Sequence, residues 1–488
     1  MSGADLGVKI GLEIHVQLTE STTKLFCDCK ANYRGMPPNT NVCPVCLGLP
    51  GALPVPRRDP LRRAAAVAMY LNCAMPEQMV FSRKHYFYPD MPKNYQITQY
   101  QGGGGAPICL RGRLDFYDPD VDAWRSVTIR RVNVEEDPGR TEYEGSITSS
   151  EYAYVDYNRS GVPLVEIVTE PEIGSPREAR RLVEYLLLAL SYMNVTNPRL
   201  EGSFRVDANV SVAGGERVEV KNIGSTVDLE RALRYEIFRQ SRIVAQGGTV
   251  RRETRAWDPV RRVTKPLRAK EYEEEYLYFP DPDIPSVSLA ELVKEAAPLL
   301  AVTPDKLMTE MVKLGVPQRM AWSLVVTKPS ARLFLRAVSM GSEPRLTARL
   351  LAIDLKGLIK KLGKDPDDEG SWPSPELVRD LVGLIVSGRY SYDEVKYKVL
   401  PAVAANPKAD VLSLLPPKVS DVDSIVSEVL RSEPKAVKDY LGGKSEALDY
   451  LVGAALKRAG GSVDPRVVRE AIARRLAALA LDERPQGT

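Results

Sequence analysis

Residues 8–18, VKIGLEIHVQL, alternate without a break. Val8, Ile10, Leu12, Ile14, Val16 and Leu18 fall on one face, and Lys9, Gly11, Glu13, His15 and Gln17 on the other. Period two with β-branched residues predicts a strand with one buried face. Glu13 and His15 lie two residues apart, so a carboxylate and an imidazole point the same way. Such a face is either wet, as in many antiparallel sheets, or one wall of a metal or phosphate site. The chain has only two histidines, His15 and His85.

Further strands follow the same pattern. Residues 127–134 alternate and run into Glu135-Glu136-Asp137-Pro138-Gly139. Carboxylates crowded at a strand end repel one another; solvation or a bound cation relieves them. Residues 162–169, VPLVEIVT, put Glu166 inside an apolar run, where a carboxylate needs a partner or a cation. Residues 204–212 and 218–220, separated by Gly214-Gly215, predict a hairpin. Its polar face carries Arg205, Asp207, Asn209 and Ser211, with Asp207 and Asn209 as candidate cofactor-binding residues. This second polar-faced sheet is expected to oppose the first across a cleft.

Four of the six cysteines make a pattern: Cys27-x-Cys29, thirteen residues, then Cys43-x-x-Cys46. Pro44 and Gly48 allow the tight turn of a knuckle, and four thiolates suit tetrahedral Zn²⁺ with bonds of about 2.3 Å. A redox pair at Cys43 and Cys46, or coincidence, is the competing reading. A four-thiolate site has no open position, so such a zinc is structural. Cys73 and Cys109 are left over and read as ordinary small residues.

At 488 residues the chain exceeds one core, and length suggests roughly three domains. Hydrophobic content of 44% and charged content of 27% are those of a soluble globular protein. No apolar run is long enough to span a bilayer and no signal-peptide core is present, so a cytoplasmic location is expected. With a net charge of +3, any nucleic-acid surface must be local. Residues 81–100 interleave Arg83, Lys84 and Lys93 with tyrosines; this fits RNA ends, a polar conduit or a buried aromatic loop. Residues 102–105, all glycine, read as a flexible connector. Residues 251–270 hold eight Lys/Arg against two Asp/Glu and fit either phosphates or a solvated loop.

Helices are predicted over 59–72, from Ser175-Pro176 onward, and over 228–246. Helical periodicity takes over from about residue 293. Gly442-Gly443-Lys444-Ser445 is not a P-loop, because Lys438 stands where the motif needs glycine and no strand precedes it. The resulting expectation is an α+β chain: a strand-rich cradle with a zinc knuckle over 1–292, an all-α helical domain over 293–408 and a small all-α tail over 409–488.

A family resemblance runs through these stretches in order. Its motifs are GLEIHVQL (11–18), TKLFC (23–27), NVCPVCLGLPG (41–51), RKHYFYPDMPKNYQITQ (83–99), RVNVEEDPGR (131–140), VDYNRSGVPLVEIVTEP (155–171), EGSFRVDANVSV (201–212) and VEVKNIGS (218–225). With a tail segment at 433–461, they closely resemble the B-subunit family of tRNA-dependent amidotransferases. The related archaeal E subunit carries an extra inserted domain; here the acidic segment at 271–285 runs straight into the helical region.

The resemblance implies a chemistry. ATP phosphorylates the side-chain carboxylate of misacylated Asp-tRNA(Asn) or Glu-tRNA(Gln), and ammonia from glutamine displaces phosphate. Mg²⁺ ligands are implied at His15, Glu136 and Glu166, with Glu13 and Glu135 beside them, and an ammonia conduit at Lys84 and Lys93. An amidase A subunit and a small C subunit are implied as partners in a heterotrimer, with the tail binding tRNA. The zinc cysteines occur in only some members, which implies a metal for the fold, not the reaction. A non-catalytic tRNA-binding scaffold is the other reading, but a scaffold has no need of Glu166 in an apolar strand.

Overall fold

The computed structural model describes residues 7–144, 150–267, 273–408, 415, 422–459 and 463–482. The chain forms two compact units, Met1–Lys306 and Leu307–Thr488. The expected boundary after residue 292 falls inside a helix, Ala290–Ala296. The expected boundary at 409 lies outside the described residues.

The first unit is built on ten strands used below. They are β1 (Lys9–Gln17), β2 (Ser82–His85), β3 (Tyr95–Thr98), β4 (Cys109–Asp118), β5 (Ala123–Glu136), β6 (Pro163–Thr169), β7 (Phe204–Ser211), β8 (Val218–Ile223), β9 (Glu253–Asp258) and β10 (Val263–Pro266). Eight form one sheet in the order β10-β9-β8-β7-β1-β6-β5-β4. The opening strand is therefore central, antiparallel to β7 on one side and β6 on the other.

Its alternation explains the layering. Ile10, Leu12, Ile14 and Val16 are buried, as are Val206, Ala208 and Val210 of β7. Helices α2 (Pro176–Tyr192) and α3 (Thr226–Ala245) pack together and against the sheet. They bury Leu182, Val183, Leu186, Leu187 and Leu190 from one and Leu229, Ala232 and Leu233 from the other. Both start at a serine cap: Ser175 Oγ accepts from Glu178 N–H and Ser225 Oγ from Asp228 N–H. The expected first helix is α1 (Arg58–Tyr70).

Three expectations change. The 204–223 hairpin does not face the opening strand across a cleft. β7 pairs edge to edge with β1, both bury their apolar residues, and the polar faces merge. The glycines at 102–105 are packed, not loose: residues 101–103 make a short helical turn, and a Cβ on Gly103 would meet Tyr278 Cβ at 2.6 Å. Cys73 and Cys109 are joined by a disulfide, tying the chain after α1 to the edge strand β4.

The basic block at 251–270 is divided. Arg255 is buried, donating to Thr264 Oγ1 at 2.8 Å and Glu253 Oε2 at 3.0 Å beside the buried Glu236. Lys265 pairs with Asp258 at 2.6 Å. Arg251, Arg252, Arg261 and Arg262 stay exposed, and residues 268–270 lie outside the described residues.

The second unit is helical throughout its described elements. Its last part has its own core, including Ile425, Val429, Leu451, Ile472 and Leu476. No helix among the described residues is long and apolar enough to cross a membrane.

Candidate active site

Strand register sets the site. Across β7, β1, β6 and β5, Arg205, His15, Glu166 and Asn133 occupy one row. Asp207 and Glu13 begin the next row, and Asn209 lies beyond them. Cross-strand partners share a face, so residues distant in sequence become neighbours.

His15 Nε2 lies 3.9 Å from Glu166 Oε1, and Asn133 Nδ2 donates to Glu166 Oε2 at 2.7 Å. Burial, then the cations Arg205, Lys84 and Lys221, lower the His15 pKa, so the imidazole is neutral near pH 7. Its Nδ1 is buried without a hydrogen-bond partner. Burial, then the nearby Glu135, raises the Glu166 pKa. Asn209 Nδ2 donates to Glu13 Oε1 at 3.1 Å. Asp207 Oδ1 accepts from Asn222 N–H at 3.1 Å; burial raises its pKa and Lys221 moderates the rise.

The β2–β3 hairpin roofs this face. Thr98 Oγ1 donates to Glu135, and Gln96 Nε2 donates to the other Glu135 oxygen at 3.3 Å. Glu136 is held by the same roof. Lys93 holds it in an ion pair, and Ile97 N–H donates to it at 3.1 Å. Lys84 lies over the Tyr276 ring at 4.7 Å and is among the charges acting on both His15 and Glu166. His15 and Glu166 thus converge, with Glu135 electrostatically coupled to them, while the Glu136 carboxylate is engaged by the roof.

Sequence reading assigned no roles to several contributors. Asp137 accepts from Gln17 Nε2 at 2.5 Å and faces Arg205 NH1 at 3.5 Å. These residues line a cavity of about 250 Å³ with His15, Leu164 and Phe204. Period two already placed Gln17 on the His15 face, but nothing local marked Thr98 or Gln96, whose role comes from roof placement alone.

His15 has an unpartnered buried nitrogen, and two coupled carboxylates, Glu135 and Glu166, are packed into a half-dry face.

The cysteines form a second centre. Among the described residues, Cys27, Cys29, Cys43 and Cys46 are the group whose ligand atoms could hold a metal ion, all lying within 4.8 Å of one another. That spacing is compatible with structural zinc. Cys43 N–H donates to Cys46 Sγ at 3.1 Å and Lys24 Nζ approaches it at 3.5 Å. The hydrogen bond with Cys27, aided by Lys24, lowers the Cys46 pKa to about 4. Gly161, at φ +86°, takes a left-handed turn between the knuckle and the acidic turn. A Cβ there would lie 3.4 Å from Cys46 Cβ and 3.8 Å from Glu136 Oε2. Ser160 Oγ also donates to Cys46 O at 3.0 Å. The knuckle buttresses the strand end that carries Glu135 and Glu136.

Comparison with known proteins gives matches to both parts of the chain. The family profile described as the GatB/GatE catalytic domain covers residues 8–295, and a second, the GatB domain, covers residues 332–476. An Aeropyrum pernix protein, named as the B subunit of aspartyl/glutamyl-tRNA(Asn/Gln) amidotransferase, is 57% identical over 98% of this chain and 99% of its own length. Proteins of the same name are 42% identical in Sulfurisphaera tokodaii (95% of this chain, 98% of theirs) and 39% identical in Methanococcoides burtonii (95% and 97%). The chain therefore belongs to the B-subunit family of the aspartyl/glutamyl-tRNA(Asn/Gln) amidotransferases.

Proposed function

We propose that this chain is the subunit that activates and amidates the side-chain carboxylate of misacylated Asp-tRNA(Asn), Glu-tRNA(Gln) or both, in the cytoplasm. A carboxylate is a poor electrophile. Its oxygen attacks the γ-phosphorus of ATP and ADP leaves. Ammonia then attacks the acyl carbon, phosphate leaves and the nitrogen gives up a proton. Phosphoryl transfer depends mainly on positioning and charge neutralisation. The observation that carries this reading is the row His15–Glu166, coupled to Glu135, on a polar sheet face beneath a lysine-bearing roof.

His15 and Glu166 would hold Mg²⁺, with Glu136 recruited from Lys93 and with Glu13 and Glu135 adjacent. A Mg²⁺ ion there supplies charge neutralisation for the transferred phosphoryl group. The chain's own residues orient the substrates. Asp207 and Asn209 extend the polar face toward the nucleotide, and Asn133 fixes the Glu166 carboxylate. Lys84 and Lys93 line the route by which ammonia enters from a partner amidase A subunit, with a small C subunit completing the heterotrimer. The four-cysteine knuckle holds one structural Zn²⁺. The described residues after the 409 boundary form the tRNA-binding tail. No Ser-Ser-Lys amidase signature occurs in the chain, so it relies on a partner for glutamine hydrolysis.

Reconstitution with the partner subunits tests this. Each misacylated tRNA is incubated with ATP and either glutamine or ammonium, and amide formation is measured. ATP-dependent amidation with both nitrogen sources is expected. Amidation that proceeds fully without ATP would overturn the proposal.

A further inference from the structure

We propose that Arg205 is the residue that reads the substrate's side-chain carboxylate, distinguishing the acid to be amidated from the amide product. This rests on the amidation reading above.

Arg205 stands directly across from His15 in the strand register and lines the cavity of about 250 Å³. Its side chain is 40% exposed, and its ion pair is a single contact, NH1 to Asp137 Oδ1 at 3.5 Å. Asp137 is itself fixed by Gln17, whose Oε1 accepts from Arg34 NH2 at 2.7 Å, and Arg34 is anchored on Glu201 O at 2.6 Å. The guanidinium is therefore braced by Asp137 and lines the cavity, with Asp207 and Glu135 also among the carboxylates acting on it.

Several other cations here are occupied, while Arg131, whose Nε is buried without a partner, acts on Glu166 but does not line the cavity. Arg159 lines the same cavity but donates to Pro138 O at 3.0 Å and Gly139 O at 2.7 Å. Lys93 is paired with Glu136, and Lys221 lies 3.6 Å from Glu219. Lys84 rests over an aromatic ring and offers a point charge instead of a fork.

Shape and size decide the ligand. A guanidinium fork matches a planar carboxylate with parallel hydrogen bonds. The cavity falls below the range of ~300–1,000 Å³ that drug-sized ligands fill, so it suits a side chain better than a nucleotide. Leu164 and Phe204 give it apolar wall for methylenes. A carboxylate held by Arg205 lies beside His15, where activation takes place. Conversion to the amide removes the charge and replaces one acceptor by a donor, so the same fork releases the product.

The test uses the assembled complex with Arg205→Gln and Arg205→Lys. Dissociation constants are measured for Asp-tRNA(Asn) and Asn-tRNA(Asn), and for Glu-tRNA(Gln) and Gln-tRNA(Gln), alongside KM for ATP. The wild type should prefer the acid form. Arg205→Gln should weaken acid-form binding by about 10- to 100-fold, the loss of a charge-assisted contact, and erase the preference. Arg205→Lys should retain part of it. Equal weakening of acid and amide forms, a preserved preference, or a rise confined to the KM for ATP would each overturn the proposal. Absence of ATP-dependent amidation in the wild-type complex would instead overturn the amidation reading.

Discussion

His15 and Glu166 face each other across adjacent antiparallel strands, with Nε2 3.9 Å from Oε1. The contact is not an ion pair, since burial and nearby cations keep the imidazole neutral. Glu166→Gln preserves shape and removes charge. It should lower ATP-dependent activation by about 100-fold or more, the scale of a lost charge-stabilising group. Glutamine- and ammonium-supported amidation should fall together, because both need the activated acyl group. Full rescue by ammonium would move Glu166 from activation to ammonia delivery.

The knuckle makes a compositional prediction. Metal analysis of protein purified without chelators should give about one zinc per chain. Cys43→Ser should lower thermal stability more than it alters the activity of whatever remains folded. A metal-free protein with four freely reactive thiols at 27, 29, 43 and 46 would rule the site out.

The Cys73–Cys109 disulfide closes a segment with a sequence separation of 36 that contains the whole β2–β3 roof. Alkylation of the denatured protein without reductant should label four of the six cysteines. Removing the link with Cys73→Ser should cost about 2–4 kcal/mol, measured by denaturant unfolding. Labelling of all six would show the link absent.

Lys356 supplies a pH test. It is 7% exposed and donates to Ser323 O at 2.6 Å, and burial, helped by Lys360, lowers its pKa to about 8. The unfolded value is near 10.5, so between pH 8 and 10.5 the unfolded chain binds more protons. The burial penalty is complete below pH 8 and is relieved as pH rises through that window. Lys356→Met should stabilise the protein at pH 7 by about 1–3 kcal/mol, less the hydrogen bond lost to Ser323, with the difference shrinking above pH 8. A pH-independent difference would show that Lys356 is not held by burial.

Deletion of residues 409–488 should raise the KM for tRNA while the activation chemistry persists at saturating tRNA. The described helices of this part bury a core of their own, including Ile425, Val429, Leu451 and Ile472. Unchanged tRNA affinity after deletion would reassign the tail.

Local pattern was enough for the strand at 8–18, because period-two alternation is a direct consequence of the pleat. It was enough for the cysteine knuckle as well, since ligand spacing is short-range. The capped helices after Ser175 and Ser225 were legible too, although the second begins two residues before the expected start. What sequence could not supply was pairing. Whether β7 opposes β1 or joins its edge depends on how apolar faces far apart in the chain are buried together, a long-range packing outcome. The same reason separated Glu135 from Glu136. Neighbours in sequence, the two carboxylates take different partners, and only the roof shows that Lys93 meets one and Thr98 the other. The disulfide was missed for the same cause: a separation of 36 carries no local signal, and only the meeting of the chain after α1 with β4 brings the two sulfurs together. Sequence by itself determined the fold class, the metal-ligand type and the polar character of the central strand, because these follow from short-range periodicity and chemistry. Tertiary structure alone decided which charges share the site, because strand register and roof placement are settled by burying apolar faces far apart in the chain.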